Sequence, residues 1–242
     1  MDLATYSSDI TVELIKHSAS DLDVVTAAWV STKGARSKNT TNDGSTVDDS
    51  KIPGLINYLM RERHGSPFEH SYFTFYVKAP IFVWREHMRH RIASYNEESG
   101  RYKVLEPEFY LPPRERKLQQ IGKTGHYEFV DGSNLQYALL ATTIRRNCEA
   151  AYTDYLQLLR NGIAKEVARM VLPVNIYSSA YVTMNSRALM NFLSLRVSAE
   201  DAKFPSYPQR EIEIVGEAYE EVFSTIMPIT YQAFINNGRV SP

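Results

Sequence analysis

Residues 85–102 read REHMRHRIASYNEESGRY, the densest polar run in the chain. Arg85, Arg89, Arg91 and Arg101 stand there with His87 and His90, against Glu86, Glu97 and Glu98. Ser94, Asn96 and Ser99 add small hydrogen-bonding groups. Guanidinium forks match phosphate and carboxylate oxygens, so the cluster suits a large, multiply charged ligand such as a nucleotide or dinucleotide. On a helix, consecutive Arg89, His90 and Arg91 would diverge by about 100° each, which excludes one small ion as their shared target. The same residues would also serve as surface ion pairs, or as charges offsetting a helix dipole. Charge alone leaves both readings open.

Three further groups carry chemistry. Residues 64–70 (HGSPFEH) hold His64, Glu69 and His70, but the spacing lacks the helical His-x-x-x-His pattern or cysteine partners of a metal site. No metal is expected. Arg169 lies within an otherwise apolar helix end (EVARMVLP) and Arg196 closes NSRALMNFLSLR. An arginine among apolar neighbours needs an anionic or acceptor partner, because desolvating it alone is costly. That partner is either a glutamate of this chain or a ligand. The single cysteine, Cys148, has no Pro-Cys-His context and reads as a packing residue. Ser99 has no base at a suitable spacing, so it reads as a hydrogen-bonding group and not a nucleophile.

The elements that must position these groups follow from periodicity. Ile10, Val12 and Leu14 alternate with polar residues, predicting a strand. Ser20 with Asp23 predicts a cap before a helix over 22–30. Residues 33–50 are polar and rich in turn formers, predicting a mobile loop, with a helix following over 52–63. Residues 71–77 (SYFTFYV) predict a buried strand. Pro80 predicts a helix start, with the helix reaching about Arg91. Residues 111–133 hold Pro112, Pro113, Gly122, Gly125 and Gly132 and read as a connection. The longest helix is predicted from a Ser133 cap to Asn161 before Gly162, with Leu135, Leu139, Cys148, Tyr152, Tyr155 and Leu159 near one face. A shorter helix over 164–172, a strand over 177–183, a helix capped by Ser186 and reaching Arg196, and final helices within 209–236 complete the chain. Strands and helices without regular alternation predict an α+β fold, read as one domain over residues 1–242.

Bulk composition narrows the class. Of 242 residues, 43% are hydrophobic and 23% charged, as in a soluble globular protein. Lys plus Arg (27) nearly balances Asp plus Glu (28), so the net charge favours neither a nucleic-acid polymer nor a membrane surface. There is no spanning helix or signal peptide pattern, and one cysteine fits a reducing compartment; a cytoplasmic location is expected.

The motifs, taken together, resemble one family. Arg89-His90-Arg91, seven residues and then Ser99 resemble the RHRx7S signature of the flavin-dependent thymidylate synthases. The resemblance continues through NExSxRY at 96–102, HxxPFEH at 64–70, KAPIFV at 78–83, EVARxVLP at 166–173 and NxRxLMNFLxLR at 185–196. It implies a single-domain fold with a twisted, mainly antiparallel sheet packed with helices, in a homotetramer that shares active sites between subunits. It also implies reductive methylation of dUMP to dTMP, with methylenetetrahydrofolate as carbon donor and FAD and NADPH supplying hydride. By the same resemblance His64, Ser66, Arg89, His90, Arg91, Glu97, Asn185, Ser186, Arg187 and Asn191 contact FAD. Glu86, His87, Met88, Arg89, Glu97, Glu98, Ser99, Gly100, Arg101, Arg169 and Arg196 hold dUMP, and Arg196 activates the uracil ring. The chain departs from the family after Arg196, where VSAEDAKFPSYPQREIEI replaces a short SxHAQ-like run, and at Glu86, where glutamine is common. A family member that binds flavin without turnover, and a non-catalytic nucleotide- or RNA-binding protein with strongly salt-dependent binding, are the competing expectations.

Overall fold

The computed structural model describes residues 4–33, 49–123 and 126–242. Over these the chain forms β1 (Thr5–Ser7), β2 (Thr11–Ser18), α1 (Asp21–Lys33), α2 (Ile52–Arg61), β3 (Tyr72–Pro80), α3 (Ile81–His87), β4 (Ser94–Glu97), β5 (Glu108–Tyr110), β6 (Gln119–Lys123) and β7 (His126–Val130). It continues as α4 (Asn134–Arg160), α5 (Lys165–Ala168), β8 (Tyr177–Asn185), α6 (Ser186–Arg196), α7 (Arg210–Ile226) and α8 (Pro228–Asn236). The fold is α+β, as expected. Of the turn-rich stretch expected to be a mobile loop, residues 34–48 lie outside the described residues.

The described residues group into two compact units, each built from separate stretches of chain. The first takes residues up to Asp9, Ala79–Trp84 and Glu97–Ser178; the second takes Ile10–Lys78, Arg85–Asn96 and Ser179–Pro242.

In the first unit β1 pairs in parallel with β5, and α4 supplies the core. Its Cys148, Tyr152 and Tyr155 bury with Phe109, Ala168 and Ile176. The helix begins at a capping box in which Ser133 Oγ accepts from Gln136 N (3.2 Å) and Gln136 Oε1 accepts from Ser133 N (2.7 Å). It stops at Asn161, before Gly162 with φ +81°. Leu135 and Leu139 depart from the expected face: they are 79% and 67% exposed, and the fully buried residues of the helix all lie in its C-terminal half. Residues 111–133 are not merely a connection. They carry the β6–β7 hairpin, whose first strand is exposed throughout and so lacks the apolar alternation that would mark it.

In the second unit a four-stranded sheet runs in the order β2-β3-β8-β4. β2 and β3 are antiparallel, with a register shift between Leu14 and Lys16. Phe73, Phe75 and Val77 alternate along β3 and are fully buried or nearly so, each contributing about 2 kcal/mol or more by removal from water. Phe75 lies 4.3 Å from Tyr219 of α7 between ring centroids, and Phe73 packs edge-on to Phe223 of the same helix. On the opposite face Thr74 and Thr183 share a hydrogen bond of 2.9 Å between β3 and β8.

Candidate active site

The Arg-His-Arg segment lies in a turn. α3 ends at His87, four residues short of expectation, and the chain leaves through Arg89 N to Glu86 O (3.3 Å) and His90 N to His87 O (3.1 Å). Tyr95 closes this end: its hydroxyl lies 3.1 Å from the His87 carbonyl and 3.0 Å from that of His90. The Tyr95 hydroxyl thus adds a second donor at the His87 carbonyl, which already accepts from His90 N, and ties the His90 carbonyl to it. Out of the helix, Met88, Arg89 and Arg91 are exposed while His90 is half-buried.

His87, expected to touch nucleotide, has no exposed surface. Its ring is held by Tyr219 Oη at 2.9 Å on Nε2 and Tyr95 Oη at 3.2 Å on Nδ1, and packs on Phe192 at 4.8 Å. Burial first, then the neighbouring His90 and Arg196, push its pKa down to about 3, so it stays neutral. From inside the core it fixes the turn that presents Arg89, His90 and Arg91.

Arg196 closes α6 and meets that turn. Its Nη1 lies 2.6 Å from Glu86 Oε2, and its Nε donates to His90 Nε2 at 3.2 Å. The Arg196 and Glu86 side chains are 16% and 24% exposed, so the pair is largely shielded from water. His90 packs on Phe192 at 4.5 Å; burial and then Arg196 push its pKa down to about 4. A neutral imidazole can accept the arginine proton, which requires the tautomer protonated at Nδ1. The end of α6 is set by α7. A Cβ at Gly216 would fall 2.7 Å from the Val197 side chain and 3.0 Å from the Arg196 carbonyl, so the close approach requires glycine.

At the other end of α6, Asn185 and not Ser186 is the cap: its Oδ1 accepts from Ala188 N at 2.8 Å. Ser186 is buried and donates to Phe68 O (2.6 Å). Arg187, one residue on, lies across Gly65, where a Cβ would stand 2.4 Å from the guanidinium carbon. Its Nη1 pairs with Glu69 Oε1 at 2.5 Å, and its Nε donates to Pro242 O at 2.6 Å. Asn191, one helical turn further, is exposed. His64 is exposed, stacks on Tyr58 at 5.9 Å and leads into the 3-10 turn Ser66–Glu69. The second unit thus sets His64 and Ser66 at the entry of the 3-10 turn, Asn185 and Arg187 at the start of α6, and Asn191 midway along that helix.

The first unit holds the other expected residues. Glu97 Oε1 accepts from Ser178 Oγ at 2.5 Å, and Glu98 pairs with Lys103 at 2.8 Å. Ser99 carbonyl oxygen accepts from Tyr102 N and Lys103 N, so Ser99 sits in a turn. Gly100 is buried beside the Arg169 stem. Arg101 Nε reaches Glu166 Oε2 at 2.8 Å. Arg169 is exposed at the start of a 3-10 turn. Cys148 is 1% exposed in the core of this unit, bonded to Asn175, and burial pushes its thiol up. Among the described residues no group of three His, Cys, Asp or Glu is placed to hold a metal ion, and no helix is long and apolar enough to cross a membrane.

Sequence reasoning missed Tyr95, Tyr219 and Phe192, which build the His87 pocket, and the Glu69 clamp on Arg187. Glu69 was legible as part of the 64–70 motif; the aromatic residues carry no signal beyond ordinary core periodicity.

The Arg-His-Arg turn thus sets exposed Arg89 and Arg91 on the same turn as His90, which bonds Arg196, and comparison with known proteins gives the class of the protein. The thymidylate synthase complementing protein family model matches residues 13–229. The chain therefore belongs to the flavin-dependent thymidylate synthase family, and its class is a thymidylate-synthase-type methyltransferase. It is 56% identical to the flavin-dependent thymidylate synthase of Tropheryma whipplei (strain TW08/27) over 237 residues, covering 98% of this chain and 97% of that one. It is 54% identical to the enzyme of the same name from Streptomyces avermitilis over 239 residues, covering 98% and 96%. The fold matches PolB from Streptomyces cacaoi, described as a UMP/dUMP methylase, in two crystal structures. The form bound with 5-Br UMP gives a TM-score of 0.89 at 50% identity, covering 99% of each chain. The form bound with 5-Br dUMP gives 0.90 at 51% identity, covering 98% and 99%.

Proposed function

We propose that the protein converts dUMP to dTMP, with methylenetetrahydrofolate as carbon donor and FAD, reduced by NADPH, as hydride source. The carrying observation is that the only cysteine of the chain is sealed in a core with its thiol pushed up, whereas Arg196 is anchored through two of its nitrogens beside the Arg-His-Arg turn. Carbon 5 of uracil is a poor nucleophile and must be activated. A thiol that is buried and protonated is unfit to add to the ring. A preorganised guanidinium, already paid for in orientation by Glu86 and His90, is suited to stabilise negative charge developing on the uracil N3 and adjacent carbonyl.

The residues that fit FAD are Arg187, whose guanidinium fills the space above Gly65 and uses only part of its donor set in the bonds to Glu69 and Pro242, together with His64, Ser66, Asn185 and Asn191. Arg89, His90, Arg91 and Glu97 complete the proposed set, with Ser186 acting through its buried bond to Phe68. When bound, the flavin supplies hydride chemistry. Glu86, Met88, Arg89, Glu97, Glu98, Ser99, Gly100, Arg101, Arg169 and Arg196 are the proposed nucleotide contacts. His87 belongs with them as the buried support of the turn. The active form is proposed to be a cytoplasmic homotetramer with shared sites.

A second reading concerns the sugar. The likeness to a protein described as a UMP/dUMP methylase and bound with 5-Br UMP supports turnover of UMP alongside dUMP. One experiment addresses both readings. Purified protein should be yellow, oxidise NADPH faster when dUMP is added, and release dTMP once methylenetetrahydrofolate is present. Parallel runs with UMP give the sugar preference as a ratio of kcat/KM. Protein that is colourless and stays apo after FAD addition would sink the proposal.

A further inference from the structure

The last four residues of the second unit form a strap whose target the proposed function does not explain. We infer that residues 239–242 are a positioning device that locks Arg187 and the His64 turn into the geometry that accepts the flavin nucleotide; this rests on the flavin reading above.

The strap is anchored deep. Gly238 (φ +72°) and Arg239 (φ +57°) turn the chain out of α8, with Arg239 N on Phe234 O at 2.9 Å. A non-glycine residue in the left-handed region is uncommon and needs compensation. Arg239 has it: the residue is 6% exposed and makes a two-pronged pair with Glu220 at 2.7 and 3.0 Å. From that anchor the chain reaches two segments assigned to flavin. Ser241 Oγ donates to Arg187 O at 2.9 Å, and Pro242 O accepts from Arg187 Nε at 2.6 Å. Ser241 O lies 3.4 Å from Arg63 Nη2, one residue before His64. Arg63 is itself left-handed (φ +61°), closing α2 with His64 N on Leu59 O at 2.9 Å.

The consequence is a guanidinium with one orientation. Gly65 lies below it, Glu69 holds Nη1 and the strap holds Nε, leaving the remaining N–H groups for a ligand. A side chain fixed before binding avoids the ordering cost that a free arginine meets on binding. Without the strap, Arg187 keeps Glu69 as partner but gains rotamers, at 43% side-chain exposure.

The test is FAD affinity of apoprotein, read by quenching of flavin fluorescence, for wild type, for a chain ended after Val240, and for Ser241→Ala. The truncation should weaken FAD binding about tenfold, and Ser241→Ala about twofold to threefold. In an Arg187→Gln background the truncation should have little further effect, because both changes remove the same preorganised group. A merely structural tail would lower the folded fraction, hence the amplitude, and leave Kd unchanged. Equal affinity in wild type and Ser241→Ala, with the truncated protein either equal or unfolded, overturns the strap; so does an undiminished effect in the Arg187→Gln background. Wild-type apoprotein that takes up no FAD overturns the functional reading and the strap together, whereas the variant outcomes strike the strap alone.

Discussion

Replacing Arg196 with alanine separates the loss of a shielded ion pair from the loss of turnover that its proposed role predicts. The first is stability. The guanidinium is the partner of Glu86 in a pair whose side chains are only 16% and 24% exposed. Exposed pairs are worth about 0–1 kcal/mol, and leaving one member of a fully buried pair alone costs about 3–5 kcal/mol. Partial shielding puts this pair between them, at about 2 kcal/mol. The second loss is catalytic. Removing one preorganised group that stabilises developing charge lowers kcat by about 10²–10³. Arg196→Ala should therefore unfold earlier in denaturant, keep its FAD and form dTMP at least about a hundredfold more slowly. Adding Glu86→Gln removes the orphaned carboxylate charge, so the double variant should recover most of the stability and none of the turnover. Urea melts and product analysis by chromatography on the same preparations decide it. Turnover within about threefold of wild type, with flavin bound, would refute the role of Arg196.

Cys148→Ala should retain dTMP formation and lose about 1 kcal/mol of stability through a small cavity and the broken contacts with Asn175; a folded variant with no chemistry would revive a thiol mechanism. Acid should weaken the fold through His87 and His90. Their folded pKa values, about 3 and about 4, lie below the ordinary 6.5, so the unfolded chain takes up protons first. Stability is whole above about pH 6.5 and falls as the pH drops toward 3, with about 2 kcal/mol lost from His87 by pH 5. His87→Gln should flatten this slope in melts between pH 7 and 5; an unchanged slope would mean that His87 is not the buried neutral group drawn here.

Much of the fold was legible because its long elements carry two signals that agree. The Ser133 box and Gly162 bracket α4, and alternating aromatics mark β3. Boundaries set by distant side chains were not legible. No proline or glycine announces the end of α3 at His87, because Tyr95, eight residues on, takes the carbonyls there. The hairpin β6–β7 escaped because its first strand is solvated on both faces. At the candidate site, the polar residue types were read as ligand contacts, a reading that takes every polar side chain to face outward, as Arg89 and Arg91 do. It misses that His87 and Ser186 turn inward, since periodicity within a polar run does not say which polar group the core will satisfy. The strap at 239–242 has no motif at all; its proposed role rests on a hydroxyl and a backbone oxygen that meet Arg187 from far along the chain.

The pairing of β1 has a consequence for how the chain is made. Thr5 bonds to Pro107, 102 residues away, and Tyr177 closes over Ser7 and Asp9, at separations of 170 and 168. A ribosome must deliver the chain as far as β5 before β1 finds its strand partner, and as far as Tyr177 before the second contact closes. During that interval the strand edge stays open to other nascent copies, so aggregation during synthesis is the hazard and slow translation would prolong it.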